Sequence, residues 1–307
     1  MLLLVVVRRC LWGRLQVAAL DRVGTPTDIG LTLSARSQRE ALKRTKGNLR
    51  RLTPLPEIQD EARRVVGAAQ QEGTALRLIG GVAIALRCPS TRADPLRRSY
   101  VDLDLVGHER QSKEIKDLLV SCGYEPRERF NAVMGRRRLM FEDTANDRRV
   151  DVFLDVFEMS HKLDFRPRLE LEPLTLPLAD LLATKLQIVE VNEKDMKDVA
   201  ALLIDHDLGS TDGESINGPY LAGLCSKDWG LYKTLTVNLA EFQNSMDVLG
   251  LTQAQAEAAR RRSEKLSQLV EDAPKGLAWR LRAGVGERVR WYELPEEEGP
   301  TVVGSRD

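Results

Sequence analysis

Little in this sequence is built around cysteine, metal or membrane. Its four cysteines, Cys10, Cys88, Cys122 and Cys225, show no Cys-x-x-Cys spacing, and its three histidines, His108, His161 and His206, lie far apart. No zinc site or disulfide framework is legible, so a reduced, cytoplasmic setting is expected. Long apolar runs are missing too. The stretch LLLVVV after Met1 is too short to span a bilayer, and its arginines follow it rather than precede it as in a signal peptide. It reads as a short strand, a frayed end or an overlong start, with no membrane role. Net charge is absent: 46 basic and 46 acidic residues cancel, so no global field draws the chain to nucleic acid. Aromatics are few, with four Trp, five Tyr and six Phe, and they do not interleave with the basic stretches, so no base-stacking platform is evident. No internal repeat or coiled-coil heptad appears.

What is present is enough for a folded core: 307 residues, 42% of them hydrophobic, suit one large or two modest domains. Local basic patches stand out against the neutral total. Residues 36–51, RSQREALKRTKGNLRR, hold seven Lys or Arg against one Glu, and Arg136 to Arg138, Arg148 and Arg149, and Arg260 to Arg262 form further clusters. Each cluster taken singly reads as a solvated face.

Periodicity predicts a helix over 55–73, a short strand at Ala75 to Ile79, and a helix opening in VAIALR after Gly80 and Gly81. A Pro- and Arg-containing loop, CPSTRADPLRRS, leads to the strand SYVDLDLVG. An amphipathic helix follows at 111–122, then two strands, 137–142 and 149–158, paired as a hairpin through DTANDR. Helices are predicted in LADLLATKLQIVEV and from Glu193. Beyond Thr211 the pattern is all helical, at 227–249, at 252–271 with Thr252 as N-cap, and at 274–291. The tail from 293 is acidic, and disorder is expected there.

The chemistry sits in the strand SYVDLDLVG. Asp102 and Asp104 are two apart and share a face, so their charges crowd each other and call for a cation. Aspartate is depleted from strands, and such a pair standing alone on an edge would simply face water. Upstream, Gly80 and Gly81 lie between a strand and a helix, where close backbone approach, free N–H groups and a positive dipole end suit phosphate. A triphosphate arrives with magnesium, and magnesium takes carboxylate oxygens. In RVDVFLDVFE, Asp151 and Asp155 again interrupt an apolar strand.

IGGVAIAL followed by SYVDLDLV resembles the nucleotidyltransferase superfamily signature, in which a Gly-Gly or Gly-Ser turn precedes an Asp-x-Asp strand. LADLLATKLQ and KDMKDVAALL are similar to the AbiEii/MenT group of that superfamily, and the resemblance covers roughly residues 75–205. It implies an α+β nucleotidyltransferase core, a small mixed β-sheet flanked by helices, at 53–209. An all-helical C-terminal domain at 210–292 would follow it, an N-terminal extension with a basic helical arm at 1–52 would precede it, and an acidic tail would end the chain at 293–307. It also implies transfer of a nucleoside monophosphate from a nucleoside triphosphate to a hydroxyl, with two magnesium ions on Asp102, Asp104 and Asp151. Gly80 and Gly81 would cradle the β- and γ-phosphates, Lys185 would add a charge to them, and Asp198 would orient Lys185 or the acceptor.

Two choices stay open in the residues themselves: Asp155 shares a face with Asp151, and Asp195 shares a helical face with Asp198. The loop between Gly81 and Asp102 is longer than the family pattern. In the AbiEii/MenT group the acceptor can be the tRNA 3′ end, and members act as toxins paired with a separately encoded antitoxin. The basic clusters at 36–51 and 136–138 would suit an RNA backbone. A small-molecule modifier resembling the aminoglycoside nucleotidyltransferases would instead present acidic residues, for which Glu170, Glu172 and Asp180 are candidates. A non-catalytic nucleotide-binding member is the third reading.

Overall fold

The computed structural model describes residues 6–9, 15–20, 26–28 and 52–294. The expected basic arm at 36–51 and nearly all of the expected acidic tail lie outside the described residues. Two compact units are present, Met1–Arg50 and Arg51–Asp307. The first contains an antiparallel meander, β1 (Val6–Arg9), β2 (Leu15–Leu20) and β3 (Pro26–Asp28). The strand expected in the apolar start is thus present at its end.

The second unit begins with α1 (Ile58–Gln71), whose stripe of Ile58, Ala62, Val65, Val66 and Ala69 is buried, as its spacing requires. It ends just before Gly73 at φ +70°. Then come β4 (Leu76–Leu78), α2 (Gly80–Arg87), β5 (Asp102–Gly107), α3 (Ser112–Ser121) and β6 (Glu125–Pro126). A helix not anticipated from the pattern, α4 (Glu128–Met134), precedes the hairpin of β7 (Arg138–Asp143) and β8 (Arg148–Leu154).

These strands form one mixed five-stranded sheet in the order β4-β5-β8-β7-β6, in which only β5 and β8 run parallel. The architecture is α+β with a small mixed sheet, as expected. The register places Asp104 beside Asp151, Asp102 beside Arg149, and Leu105 beside Val152. Since paired residues point to the same side, Leu103, Leu105, Val150 and Val152 line one buried face and the charged residues the other.

The strand predicted over 149–158 is broken. Asp155 takes φ +61°, β8 stops at Leu154, and β9 (Val156–Glu158) turns away to pair with β10 (Lys162–Asp164). Next, α5 (Leu178–Leu186) and α6 (Glu193–Asp205) match the predicted helices. A minimal parallel pair, β11 (Leu208–Gly209) and β12 (Ile216–Asn217), leads into α7 (Gly218–Lys227), α8 (Trp229–Ser245), α9 (Gln253–Asp272) and α10 (Leu277–Val285).

Thr252 caps α9 through a reciprocal box with Gln255. The helix predicted to begin at Lys227 begins at Trp229 because Asp228 caps it, accepting from Leu231 N–H at 3.1 Å. The helix predicted over 274–291 is shorter, since Gly286 at φ +60° ends it. The C-terminal helices pack on α5 and α6 within the same compact unit.

Candidate active site

Gly80 opens α2 directly behind β4, and Ile79 N–H donates to the Asp104 carbonyl at 3.0 Å. Gly80 has φ +69°, and a Cβ there would collide with the Asp104 carboxylate. Both facts demand glycine. Gly81 is different: the space above its Cα is taken by the Arg98 guanidinium and the Tyr100 ring, so Arg98, rather than an open cradle, lies over it. The long loop between Gly81 and Asp102 therefore ends by delivering Arg98 to this point.

Asp104 and Asp151 are neighbours across β5 and β8. Asp151 is 1% exposed and accepts from Arg138 Nε at 2.9 Å, while Arg149 Nε stands 3.0 Å from its other oxygen. Asp102 is more open and meets Arg149 only at 3.8 Å. Burial first, and then the charge of Asp151, push the Asp104 carboxyl up to about 6. Like charges held apart from water cannot all ionise freely, and a divalent cation is the direct relief.

Lys185 extends from α5 and is largely buried, with Nζ 2.9 Å from Asp195 and 3.0 Å from Asp198. Burial disfavours its charge, but Asp198 and Asp195 outweigh burial and hold it above the usual lysine range. Asp195 and Asp198 therefore do not compete for one role. Both hold Lys185, Asp195 also closes the capping box of α6 with Asn192, and Asp198 receives Arg98 at 3.1 and 2.7 Å. Arg98 in turn lies 4.2 Å over Tyr100.

Gly80, Asp104, Asp151, Lys185, Arg138 and Arg149 line one cavity of about 510 Å³. Asp102 opens onto a neighbouring depression beside Arg149. Gly81 and Asp198 line neither. Asp155, the alternative third carboxylate, faces a separate depression and bonds His108 Nδ1 at 3.0 Å. The break at Leu154 is what separates it from Asp151.

Arg138 and Arg149 line this cavity but are not singled out by the sequence reading. They belong to basic clusters, but the register turns them onto the carboxylate face. Their neighbours disperse: Arg136 pairs with Glu109, Arg137 with Glu158, and Arg148 is buried against Asp143. A signal was available, because Arg149 and Asp151 are two apart on one strand. The acidic trio disperses as well, with Asp180 fully buried on Arg168, Glu172 paired with Arg87, and Glu170 exposed.

Among the described residues no three His, Cys, Asp or Glu side chains stand together as a ready ion site. The donor set nevertheless fits a magnesium ion that arrives with phosphate, which needs only one or two carboxylates from the protein. Asp102 and Asp104 supply them on one face, and Asp104 receives no hydrogen bond to its carboxylate among the described residues. Asp151 is already shared by two arginines. Comparison of the chain with protein-family models gave no match, and comparison with curated proteins gave none.

Proposed function

We propose that this chain is a metal-dependent nucleotidyltransferase of the AbiEii/MenT type, moving a nucleoside monophosphate from a nucleoside triphosphate to a hydroxyl. The observation that carries this reading is the juxtaposition of Asp104 and Asp151, with Gly80 against Asp104 and Lys185 on the same cavity. Bound magnesium would neutralise the triphosphate and polarise its α-phosphate, and the two ions expected for this chemistry would rest on Asp102, Asp104 and Asp151.

The chain's own residues have distinct tasks. Gly80 leaves the room that a side chain would fill. Lys185, held by Asp195 and Asp198, presents a fixed cation to the departing pyrophosphate. Arg138 and Arg149 offer two more, and phosphate oxygens entering the cavity compete with Asp151 for them. Asp151, so released, accepts the proton of the acceptor hydroxyl. RNA, at the tRNA 3′ end, is the acceptor this reading favours, and a separately encoded antitoxin its partner. Among the described residues no helix is long and apolar enough to cross a membrane.

A second reading, nucleotide binding without turnover, is favoured by the pairing of Asp151 with two arginines. One experiment separates the two. The protein is incubated with each α-labelled nucleoside triphosphate, magnesium and total RNA, beside the Asp102→Ala/Asp104→Ala double variant. Label in an RNA band with the wild type alone supports transfer and names the nucleotide. Magnesium-dependent triphosphate binding with no label moved to RNA or to small hydroxylated acceptors overturns it in favour of the second reading.

A further inference from the structure

The chain is poor in aromatics and neutral in charge, yet the fold gathers both aromatics and cations at one place. Trp229 opens α8, Trp279 lies on α10, and Trp291 and Tyr292 follow the end of α10; all four line one open cavity of about 550 Å³. Their rings meet edge to face, Trp229 with Trp291 at 6.1 Å and Trp291 with Tyr292 at 5.3 Å. Trp279, Trp291 and Tyr292 are half-buried, so each keeps part of its side chain in contact with solvent.

Cations line the same wall. Arg282 lies 4.4 Å over Trp229 and Arg290 lies 5.5 Å over Tyr292, with Lys162 and Lys227 on the rim. Two carboxylates, Asp228 and Glu293, stand there against four side-chain cations, of which Lys162 also pairs with Glu158 at 3.4 Å. Glu293 also lines the cavity that holds Asp104 and Lys185, as does Leu294 next to it, so the two hollows adjoin.

We propose that this aromatic and basic hollow binds an unpaired polynucleotide strand, its bases stacked on the indole and phenol rings and its phosphates on Lys162, Lys227 and Arg290. Duplex cannot use it in this way, because paired bases offer no free face to a ring. Stacking tolerates every base and phosphate contacts carry no sequence information, so the surface selects for an unpaired strand rather than for a sequence. Its position deepens the transferase reading and rests on it in one respect: a strand seated here has its end beside the candidate active site, which makes it the acceptor.

The test is fluorescence anisotropy of the full-length protein with a labelled, unstructured 12-nucleotide RNA, the same strand as DNA, and its duplex, in EDTA without triphosphate. Unpaired RNA should bind at least about tenfold more tightly than duplex, weaken as salt rises, and quench tryptophan emission. The Lys227→Glu/Arg290→Glu variant, altered only at exposed residues, should lose at least tenfold in affinity at an unchanged melting temperature. Trp279→Ala should lose about tenfold if it folds.

Equal binding of strand and duplex, or full affinity in the charge-reversed variant, overturns the proposal. Preference for the DNA strand keeps the surface and removes RNA as its ligand. Strand binding by a wild type that transfers no label sinks the transferase reading alone. Transfer to small acceptors with no strand binding sinks this inference alone.

Discussion

Two carboxylates, the half-buried Asp104 on β5 and the fully buried Asp180 on α5, are both raised above the ordinary carboxylate range, in each case chiefly by lost hydration, but they are answered differently. Asp180 is met by Arg168 Nε at 2.9 Å and by the Tyr220 hydroxyl at 2.8 Å, and Arg168 continues to Asp212. That network is closed on itself and ties α5 to the segment before it and to α7. Asp104 has Asp151 and Asp102 as neighbours, which make its charge still more costly, and Lys185 and Arg138 relieve it only through space. A satisfied carboxylate holds the fold, whereas one left crowded would be relieved by a cation.

The comparison can be broken in four ways. The largest effect is expected at the closed network: Arg168→Ala strands a buried Asp180 and should cost about 3–5 kcal/mol in urea unfolding. A loss below about 1 kcal/mol would show that Asp180 is not held by its partners.

Next is the pH response of Asp104. Its folded value of about 6 lies above the ordinary 3.8, so the folded state keeps a proton that the unfolded state has lost. Stability in EDTA should therefore fall as pH rises from about 4 to 6, by at most about 3 kcal/mol from this group. Asp104→Asn should remove that part of the slope and be the more stable protein at pH 7.5. Urea midpoints for both proteins at pH 4, 5 and 7.5 decide it, and parallel curves would refute it.

Third, Gly80→Ala should cost about 1–2 kcal/mol, because a side chain at φ +69° is strained, and it should displace the Asp104 carboxylate as well. Unfolding curves give the first term. A transfer rate that falls no further than the folded fraction would remove Gly80 from the site. The smallest effect is expected at Arg136, whose pairing with Glu109 is open to water. Arg136→Ala should change stability by about 0.5 kcal/mol or less in the same assay.

Much of this was legible in the chain. The alternation in VDLDLV and RRVDVF is a period-2 pattern, and such a pattern says which residues share a face whatever the neighbours are. Asp102 and Asp104 follow from it, as does the hairpin that carries Asp151. Helices with continuous apolar stripes, α1, α5 and α6, were likewise readable. Less was legible where a single backbone position decides the outcome. The positive φ at Asp155 ends β8 and sends that residue to His108, although the strand pattern runs through it without a gap.

Lys185 shows the other limit. Its spacing on an amphipathic helix suits a lysine reaching for water, but α6 packs alongside and supplies two carboxylates. The same holds for Arg98, which comes from a loop with no periodic signal and ends against Gly81 and Asp198.

By itself the sequence determined the alternating and helical patterns, hence the kind of each long element and the face on which its charges fall, because these depend on contacts within a few residues. The tertiary structure decided which charges meet. Parallel pairing of β5 with β8 set Asp104 beside Asp151, the crossing of α5 and α6 set Lys185 between Asp195 and Asp198, and the turn after α10 brought Trp291 back to Trp229. Register and helix packing are relations between distant segments, chosen by burial of the whole core, and no local pattern carries them.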